Sequence, residues 1–507
     1  MALTALLVAA FVINLDTTIV NVALPTLVRE LHASNSQLQW IVDAYNLVFA
    51  ALLLVSGSLS DRVGRKGMLL AGLAVFGLAS VAGGLTATAE QLILARCFMG
   101  LGAAMVFPAT LSLISNIFTG RAERARAIGL WGGSTGIAIA LGPIVGGWLL
   151  EGFSWSSIFF VMAPVAALGA ALVAYSVPTS HDPHAAKTDR GGFALSTAAI
   201  ALLIFTIIEA PEHGWGSVRS IAGFAAGALL LAAFIAWERR VREPMLDVGL
   251  FRNPRFAAAS GSVTIAFFAL FGFIFLITQF FQFFKGYSPL SAGVHLLPVA
   301  SAVGVSSVLG TKLAVRFGTK LVVAAGLLMM ACFYAWVAGA NAGLGYGTIA
   351  VQMVLFGTGM GFTSAPATEA IMGVVPTEKA GVGSAVNDTT RLLGGTLGVA
   401  LIGSVYASLY ASRLSGLLPH ALPAALSKTA HSSAGAALIV AARLQHAGDA
   451  TLAAAVRHAT NMAFFHGFSA GNLVAAGVAG AGVVMAMWLL PAQPRASALS
   501  TPVRASP

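Results

Sequence analysis

The run Ala2–Ala23, ALTALLVAAFVINLDTTIVNVA, holds a single ionisable side chain, Asp16. A bilayer core is crossed by about 20 apolar residues in helical form, and this run is long enough. A secretory leader would begin with basic residues and carry a shorter apolar core; here the apolar run continues to Ala23 with Asp16 inside it. We therefore read the stretch as a first membrane span. An ionisable group near the middle of such a span costs about 2.5–3.5 kcal/mol or more, so it must face a cavity, be neutralised or find a partner.

The rest of the chain repeats this pattern. Of 507 residues, 58% are hydrophobic and 9% charged, where soluble domains carry about 25% charged residues. So few charges cannot cover a water-facing surface, and so apolar a chain is not disordered. Apolar runs between polar breaks lie near 2–23, 40–59, 68–87, 92–114, 127–149, 155–177, 193–210, 219–237, 257–283, 292–313, 321–340, 347–372, 383–410 and 467–490. The expectation is an all-α membrane protein with fourteen spans. Soluble enzymes and nucleic-acid-binding domains are excluded.

An even number of spans puts both termini on one side. With the termini in the cytoplasm, nineteen Lys and Arg residues fall on the cytoplasmic side and seven outside, four of them in the long segment 411–466. The excess of basic residues inside fixes this orientation and accounts for most of the +10 net charge. Arg96 and Arg391 fall inside spans. Cys97 and Cys332 sit far apart in apolar runs and read as small buried hydrophobes, with no disulfide framework. The segment 411–466 is expected to hold one or two short amphipathic helices outside. The tail 491–507, with four prolines, is expected to be disordered.

The chain also repeats itself. Gly57-Ser-Leu-Ser-Asp-Arg-Val-Gly-Arg-Lys66 after the second span has a decayed copy in Gly310-Thr-Lys-Leu-Ala-Val-Arg-Phe-Gly-Thr-Lys320, offset by about 254. Phe107-Pro-Ala-Thr110 recurs as Ala365-Pro-Ala-Thr368, and Glu123-Arg-Ala as Glu378-Lys-Ala, at offsets of 258 and 255. Three matches in order at nearly one offset imply two halves of equal topology, related by an axis along the membrane normal. Six spans need about 180 residues at this spacing, so two further spans are inserted between the halves. The resulting division is a six-helix bundle over 1–177, two inserted spans over 178–256, a second six-helix bundle over 257–490 and a tail over 491–507.

Four motifs resemble those of the major facilitator superfamily, and within it the fourteen-span drug:proton antiporters. They are Leu15-Asp-Thr-Thr-Ile-Val-Asn-Val-Ala-Leu-Pro25, the loop Gly57–Lys66, Leu94-Ala-Arg-Cys-Phe-Met-Gly-Leu-Gly102, and Gly136 followed by Gly142-Pro-Ile-Val-Gly-Gly147. The loop motif identifies the superfamily; the first- and fifth-span motifs point to export. One departure is Cys97-Phe98-Met99, where that family commonly has a Gln before the Gly. The resemblance implies a major facilitator fold of two six-helix bundles plus two inserted helices. It implies proton-coupled export of amphipathic compounds by alternating access across a bacterial plasma membrane, by a chain working as a monomer without cofactor or metal.

The residues then divide by chemistry. Asp16 is the first proton-carrier candidate, its alternative being a packing role with Thr17, Thr18 or Asn21. Arg96 cannot release its own proton; it can bias a neighbouring carboxyl, as the resemblance implies, or snorkel to the outer interface. Asp43, next to Trp40, is either a coupling residue or a solvated interfacial group. Asp388 and Arg391 are three apart, hence on one helix face; both are further proton-coupling candidates, and the pair is either a structural one or a gate. Gly57, Asp61, Arg62, Gly64, Arg65 and Lys66 form a candidate cytoplasmic gate, with Gly57 for close approach, Gly64 for the turn and Asp61 for capping or pairing. Gly136, Gly142, Pro143, Gly146 and Gly147 form a small-residue, bent face, expected against a helix of the other half. Gln279, Gln282 and Glu369 are candidate cavity residues, among nine phenylalanines from Phe267 to Phe284.

No Gly-x-x-x-x-Gly-Lys-Ser/Thr loop is present, so ATP is not the expected energy source. The ten histidines show no metal-ligand spacing, and no Ser/His/Asp or HExxH pattern suggests an intramembrane enzyme. Three readings stay open: a multidrug exporter, a dedicated exporter of one metabolite, lipid or siderophore, and a sensor or enzyme on a transporter scaffold. The orientation is tested by single cysteines placed at Lys66, Arg504 and His446, with Cys97 and Cys332 replaced. In intact cells an impermeant thiol reagent is expected to label position 446 alone; labelling of position 66 but not 446 reverses the topology.

Overall fold

A computed structural model describes residues 1–118, 121–179, 189–241, 244, 248–374 and 380–491. Among these residues the chain is helical and has no strand. The first helices are α1 (Ala2–Glu30), α2 (Asn35–Val63), α3 (Arg65–Gly84), α4 (Ala89–Ile117) and α5 (Arg121–Gly152). After α6 (Ser157–Ser176) come α7 (Arg190–His213) and α8 (Val218–Glu238). The second half holds α9 (Pro254–Phe284), α10 (Pro289–Phe317), α11 (Thr319–Val337), α12 (Tyr346–Met372) and α13 (Ala380–Ser415). Two short helices, α14 (Ala424–Ser432) and α15 (Ala434–His446), precede α16 (Ala450–Leu489).

Twelve helices among the described residues are long and apolar enough to cross a membrane, against fourteen read from the sequence. The runs at 40–59 and 127–149 are helical, within α2 and α5, but both helices include residues whose side chains lie outside the described set, and neither is one of the twelve. The last run begins earlier than its hydropathy indicates. Asp449 caps the Leu452 amide at 3.0 Å, and the alanine-rich stretch behind it continues as helix into the apolar run. The tail 492–507 and the stretch 180–188 lie outside the described residues.

Local chemistry sets the helix ends. Ser34 and Gln37 form a reciprocal capping box at the start of α2. Thr88, Asp189, Ser217 and Ser288 each accept a backbone N–H at the start of the helix they precede. Gly64 separates α2 from α3 at φ +119°, and Gly318 separates α10 from α11 at φ +89°. These are conformations that L residues rarely adopt. The two glycines are 254 residues apart, so the repeat seen in the sequence is also a repeat of backbone conformation.

The packing repeats as well. In the first half α3 packs on α4 and α6, α2 on α4, and α1 on α5 and α6. In the second half α11 packs on α12 and α16, α10 on α12, and α9 on α13 and α16. Gly72 and Gly102 bring α3 and α4 together: a Cβ on Gly102 would sit 2.8 Å from the Gly72 carbonyl oxygen. Gly326 and Gly359 do the same for α11 and α12 at 2.6 Å. The halves meet along α2 with α13, α5 with α10, and α1 with α9. Between them, α7 packs on α8 and lies against both α2 and α13.

Cys332 is exposed on α11 and Cys97 is half-buried, so the reading of both as buried is corrected for Cys332. Membrane-facing surface is apolar, and a cysteine there meets the same solvent as a core. The α3–α4 contact leads to a stability test. In Gly102→Val the new Cβ meets the Phe76 amide nitrogen at 2.6 Å, backbone that cannot move aside. We expect it to lose about 1–3 kcal/mol in thermal unfolding in detergent, while Gly133→Val, whose Cβ would meet nothing within 4 Å, melts like the parent.

Candidate functional site

The centre of the first half holds a charge pair with no exposed surface. Arg96 on α4 donates from Nη1 to Asp16 Oδ2 on α1 at 2.5 Å, and the side chains are 0% and 1% exposed. The guanidinium is aimed by α2: Nε donates to the Ile41 carbonyl at 2.9 Å, and its carbon lies 4.3 Å from the Tyr45 ring centroid. That ring is anchored in turn, because Tyr45 Oη donates to the Ile13 carbonyl on α1 at 3.1 Å. Three helices thus converge on one cation. Asp16 Oδ1 and Arg96 Nη2 find no protein partner although both are buried.

This arrangement decides two alternatives. Arg96 pairs inside the bundle and does not snorkel. The neighbours read as packing partners of Asp16 bond elsewhere: Thr17 Oγ1 donates to the Asn14 carbonyl, Thr18 Oγ1 to the carbonyls of Leu15 and Ile139, and Asn21 Nδ2 to those of Thr17 and Thr18. Asp43 is not a solvated interfacial group either. It is 0% exposed, and neither carboxyl oxygen has a hydrogen-bond partner. One turn along α2, Asn46 also has both amide atoms unpartnered. Buried polar groups without protein partners are rare and mark water, a ligand or a transient state.

In the second half the pair is looser. Arg391 Nη1 lies 4.0 Å from Asp388 Oδ1, and the guanidinium carbon lies 5.2 Å from the Phe267 ring centroid on α9. Asn387 Nδ2 donates to Asp388 at 3.4 Å, and Thr368 Oγ1 on α12 donates to Asn387 at 3.0 Å. Both charged side chains keep some exposure, 29% and 13%. Glu369, one residue beyond Thr368, is exposed.

The remaining candidates separate. Gln282 lies in a π-turn over Phe280–Phe284, and its amide donates to the Val22 carbonyl on α1 at 2.8 Å, joining the halves. Gln279 is fully buried and donates to Phe275 on its own helix. Gly142 and Gly146 fit against Thr18 and Ile19 of α1, in the same half. Among the described residues of the motif, Gly147, against Leu290, and Pro143, whose carbonyl faces Gly293, meet the other half. The expected inter-half face is therefore confined to one end of α5, because the middle of the helix is taken up by α1. Gly57 makes an ordinary contact, 3.7 Å from Pro108 Cβ, where a close approach was expected. Lys66 Nζ donates to the Ala174 carbonyl at 2.8 Å, tying α3 to the end of α6. Arg65 follows the Gly64 turn and opens α3. The side chains of Asp61 and Arg62, and the surroundings of Gly136, lie outside the described residues.

Sequence reasoning missed Tyr45, the Ile41 carbonyl and the contact of Gln39 with Ser404 at 3.3 Å across the halves. A faint signal existed in α2, where Gln39, Asp43 and Asn46 recur at helical spacing.

A bundle with pseudo-repeated halves, a buried ion pair and unpartnered polar groups between helices defines a polytopic membrane transporter. The family model described as Major Facilitator Superfamily matches residues 6–399. Multidrug resistance protein Stp of Mycobacterium tuberculosis (strain CDC 1551 / Oshkosh) is 37% identical over 403 residues, 78% of this chain and 74% of its own length. Multidrug efflux pump LfrA of Mycolicibacterium smegmatis is 35% identical over 405 residues, 80% of each chain. Methylenomycin A resistance protein of Streptomyces coelicolor is 34% identical over 403 residues, 80% of this chain and 85% of its own length. A bacterial homologue of the human lysosomal transporter Spinster, in an inward-facing, occupied crystal structure, shares the fold at a TM-score of 0.67 and 16% identity, over 96% of each chain. The chain belongs to the Major Facilitator Superfamily and is a multi-pass membrane transporter, not an enzyme.

The ion pair predicts a stability pattern. Arg96→Leu leaves a buried carboxylate without its partner and is expected to cost about 3–5 kcal/mol. Asp16→Leu combined with Arg96→Leu removes both charges and should recover most of that loss. Thermal unfolding of the two variants in detergent reads the difference; equal losses would mean that the stranded carboxylate is not what costs the single variant its stability.

Proposed function

We propose that the protein exports amphipathic drugs or similar compounds from a bacterial cell in exchange for protons, by alternating access. The observation that carries this reading is the buried Asp16–Arg96 pair, with one oxygen and one guanidinium nitrogen left unpartnered. A carboxylate held by one cation can trade that partner for a proton, and Arg96 remains charged in either case. The multidrug resistance and efflux names of relatives support this substrate class. Asp43 is the second proton site in this scheme, since both its oxygens are buried without a partner and a bare charge there would bear the full desolvation cost. Asp388 and Arg391, looser and partly exposed, serve the second half as a gate.

In this reading fourteen helices cross the plasma membrane, with α2 and α5 joining the other twelve; they are 29 and 32 residues long and occupy the positions of α10 and α13 in the repeat. The units are 1–177, 178–256 and 257–490, the chain works as a monomer, and both termini are cytoplasmic. The connections α1–α2 and α9–α10 are then outside. The contacts of Gln39 with Ser404, Gly147 with Leu290 and Gln282 with Val22 lie towards that side, and the pathway is closed to the outside in this arrangement. Gly57, Asp61, Arg62, Gly64, Arg65 and Lys66 form the cytoplasmic gate, with Gln279, Gln282 and Glu369 at the cavity. A dedicated exporter is the second reading, favoured by relatives named for single antibiotics, methylenomycin A and tetracenomycin C.

Asp16→Asn keeps the side-chain shape and removes the titrating group. In reconstituted vesicles it is expected to lose export against a substrate gradient while retaining substrate binding. Proton exchange for substrate at the parental ratio in this variant would remove Asp16 from the role of carrier.

A further inference from the structure

The two inserted helices take no part in the charge pair, yet they are attached to both halves. Near the end of α7, Glu209 Oε1 accepts a hydrogen bond from Ser36 Oγ in the first turn of α2, at 3.3 Å. At the tip of the hairpin, Trp215 Nε1 donates to Ser408 Oγ on α13, at 2.9 Å. The tip is built to hold that geometry. Gly214 turns the chain at φ +91°, Ser217 caps α8 through the Ser220 amide, and Trp215 stacks on Phe224 of α8 with 10° between the ring planes. Deeper along α7, Ile204 and Ile208 share one apolar cluster with Leu47 of α2 and Ala400 of α13. The Phe205 ring lies 6.0 Å from the Trp40 ring of α2. The hairpin therefore lies over the α2–α13 seam, bonded to each half at the same end of the bundle.

The two attachments are unequal. On the α2 side the acceptor is a carboxylate, and the same stretch of α7 adds the Phe205–Trp40 contact. Glu209 is further fixed at its own end of the helix: His213 Nδ1 lies 3.9 Å from its Oε2, and Arg219 of α8 reaches His213 Nε2 at 2.5 Å. At 3.3 Å the Ser36–Glu209 bond is long for O–H···O, so the hold on α2 comes from the Trp40 ring and Leu47 together with that bond. On the α13 side the tip is held by a single neutral hydrogen bond at a residue 37% exposed.

We propose that the α7–α8 hairpin is a strap across the outer α2–α13 seam, carried by the first half and released from α13 at Trp215–Ser408 whenever that seam opens. The proposal rests on the alternating-access reading. It gives the inserted helices a role in the cycle, with α7 sealing the seam in the closed state and the neutral, exposed bond being the one that breaks.

The test uses the full-length protein with Cys97 and Cys332 replaced by Ser. One variant carries Trp215→Cys with Ser408→Cys, the other Ser36→Cys with Glu209→Cys. The indole and carboxylate side chains span more than a direct disulfide can, so each pair is bridged by a short bis-methanethiosulfonate reagent that dithiothreitol cleaves. Each uncross-linked protein is its own control for folding. Bridging 215 to 408 is expected to stop export and restore it on cleavage, while bridging 36 to 209 leaves export within about twofold of the control. Arrest by the 36–209 bridge, or unchanged export through a complete 215–408 bridge, overturns the proposal. Hydrogen exchange of residues 397–408 is read on the same samples without substrate, and should slow only with the 215–408 bridge. If the uncross-linked proteins fail to export at all, the transport reading falls, and the exchange result still decides the strap.

Discussion

A guanidinium buried at 0% exposure inside a helical bundle needs a counter-charge, and the first half is arranged around that requirement. Arg96 receives a carboxylate from α1, a carbonyl and a ring from α2, and its own position from α4. Breaking such a pair by removing one partner is far more costly than never having buried it. Such pairs therefore specify geometry more than they stabilise it. Here the geometry specified is the mutual placement of α1, α2 and α4. Within that placement, Asp16 Oδ1 and Arg96 Nη2 are left without a protein partner.

The second constraint is close approach of backbones. A membrane offers little hydrophobic gain for bringing helices together, so packing has to come from small residues and fitted surfaces. The paired glycines of α3–α4 and α11–α12 do this identically in the two halves, and Gly142 and Gly146 seat α5 on α1. Between halves, hydrogen bonds made by Gln39, Ser404 and Gln282 add to a continuous apolar core and to the close approach of Gly147 to Leu290. The α7–α8 hairpin lies across the α2–α13 seam.

The fold class was legible because composition alone forces it: with 9% charged residues the chain has no means of facing water on all sides. The repeat was legible through short matches at one offset, and the backbone carries the same repeat at Gly64 and Gly318. Helix ends were less so. The start of α16 depends on a cap at Asp449 and on alanine propensity, neither of which hydropathy registers. Cys332 was misplaced for a related reason, since lipid-facing and core positions are equally apolar.

At the site, the sequence singled out Asp16 and Arg96 because an ionisable group in an apolar run is conspicuous wherever it lies. It could not say that they meet, since they are 80 residues apart and each also had a local explanation. Nor could it recover Tyr45 or the Ile41 carbonyl, because a tyrosine and a backbone oxygen in an apolar helix look like any others. The glycines of α5 were found, but only packing showed Gly142 and Gly146 turned to α1 and Gly147 to the other half. Composition and period, which the sequence holds by itself, determined that helices lie in a membrane, that the topology is duplicated, and that a few charges need partners. The tertiary structure alone decided which partners, because pairing depends on how helices distant in sequence are rotated and crossed, and small residues pack equally well on many faces until a fold selects one.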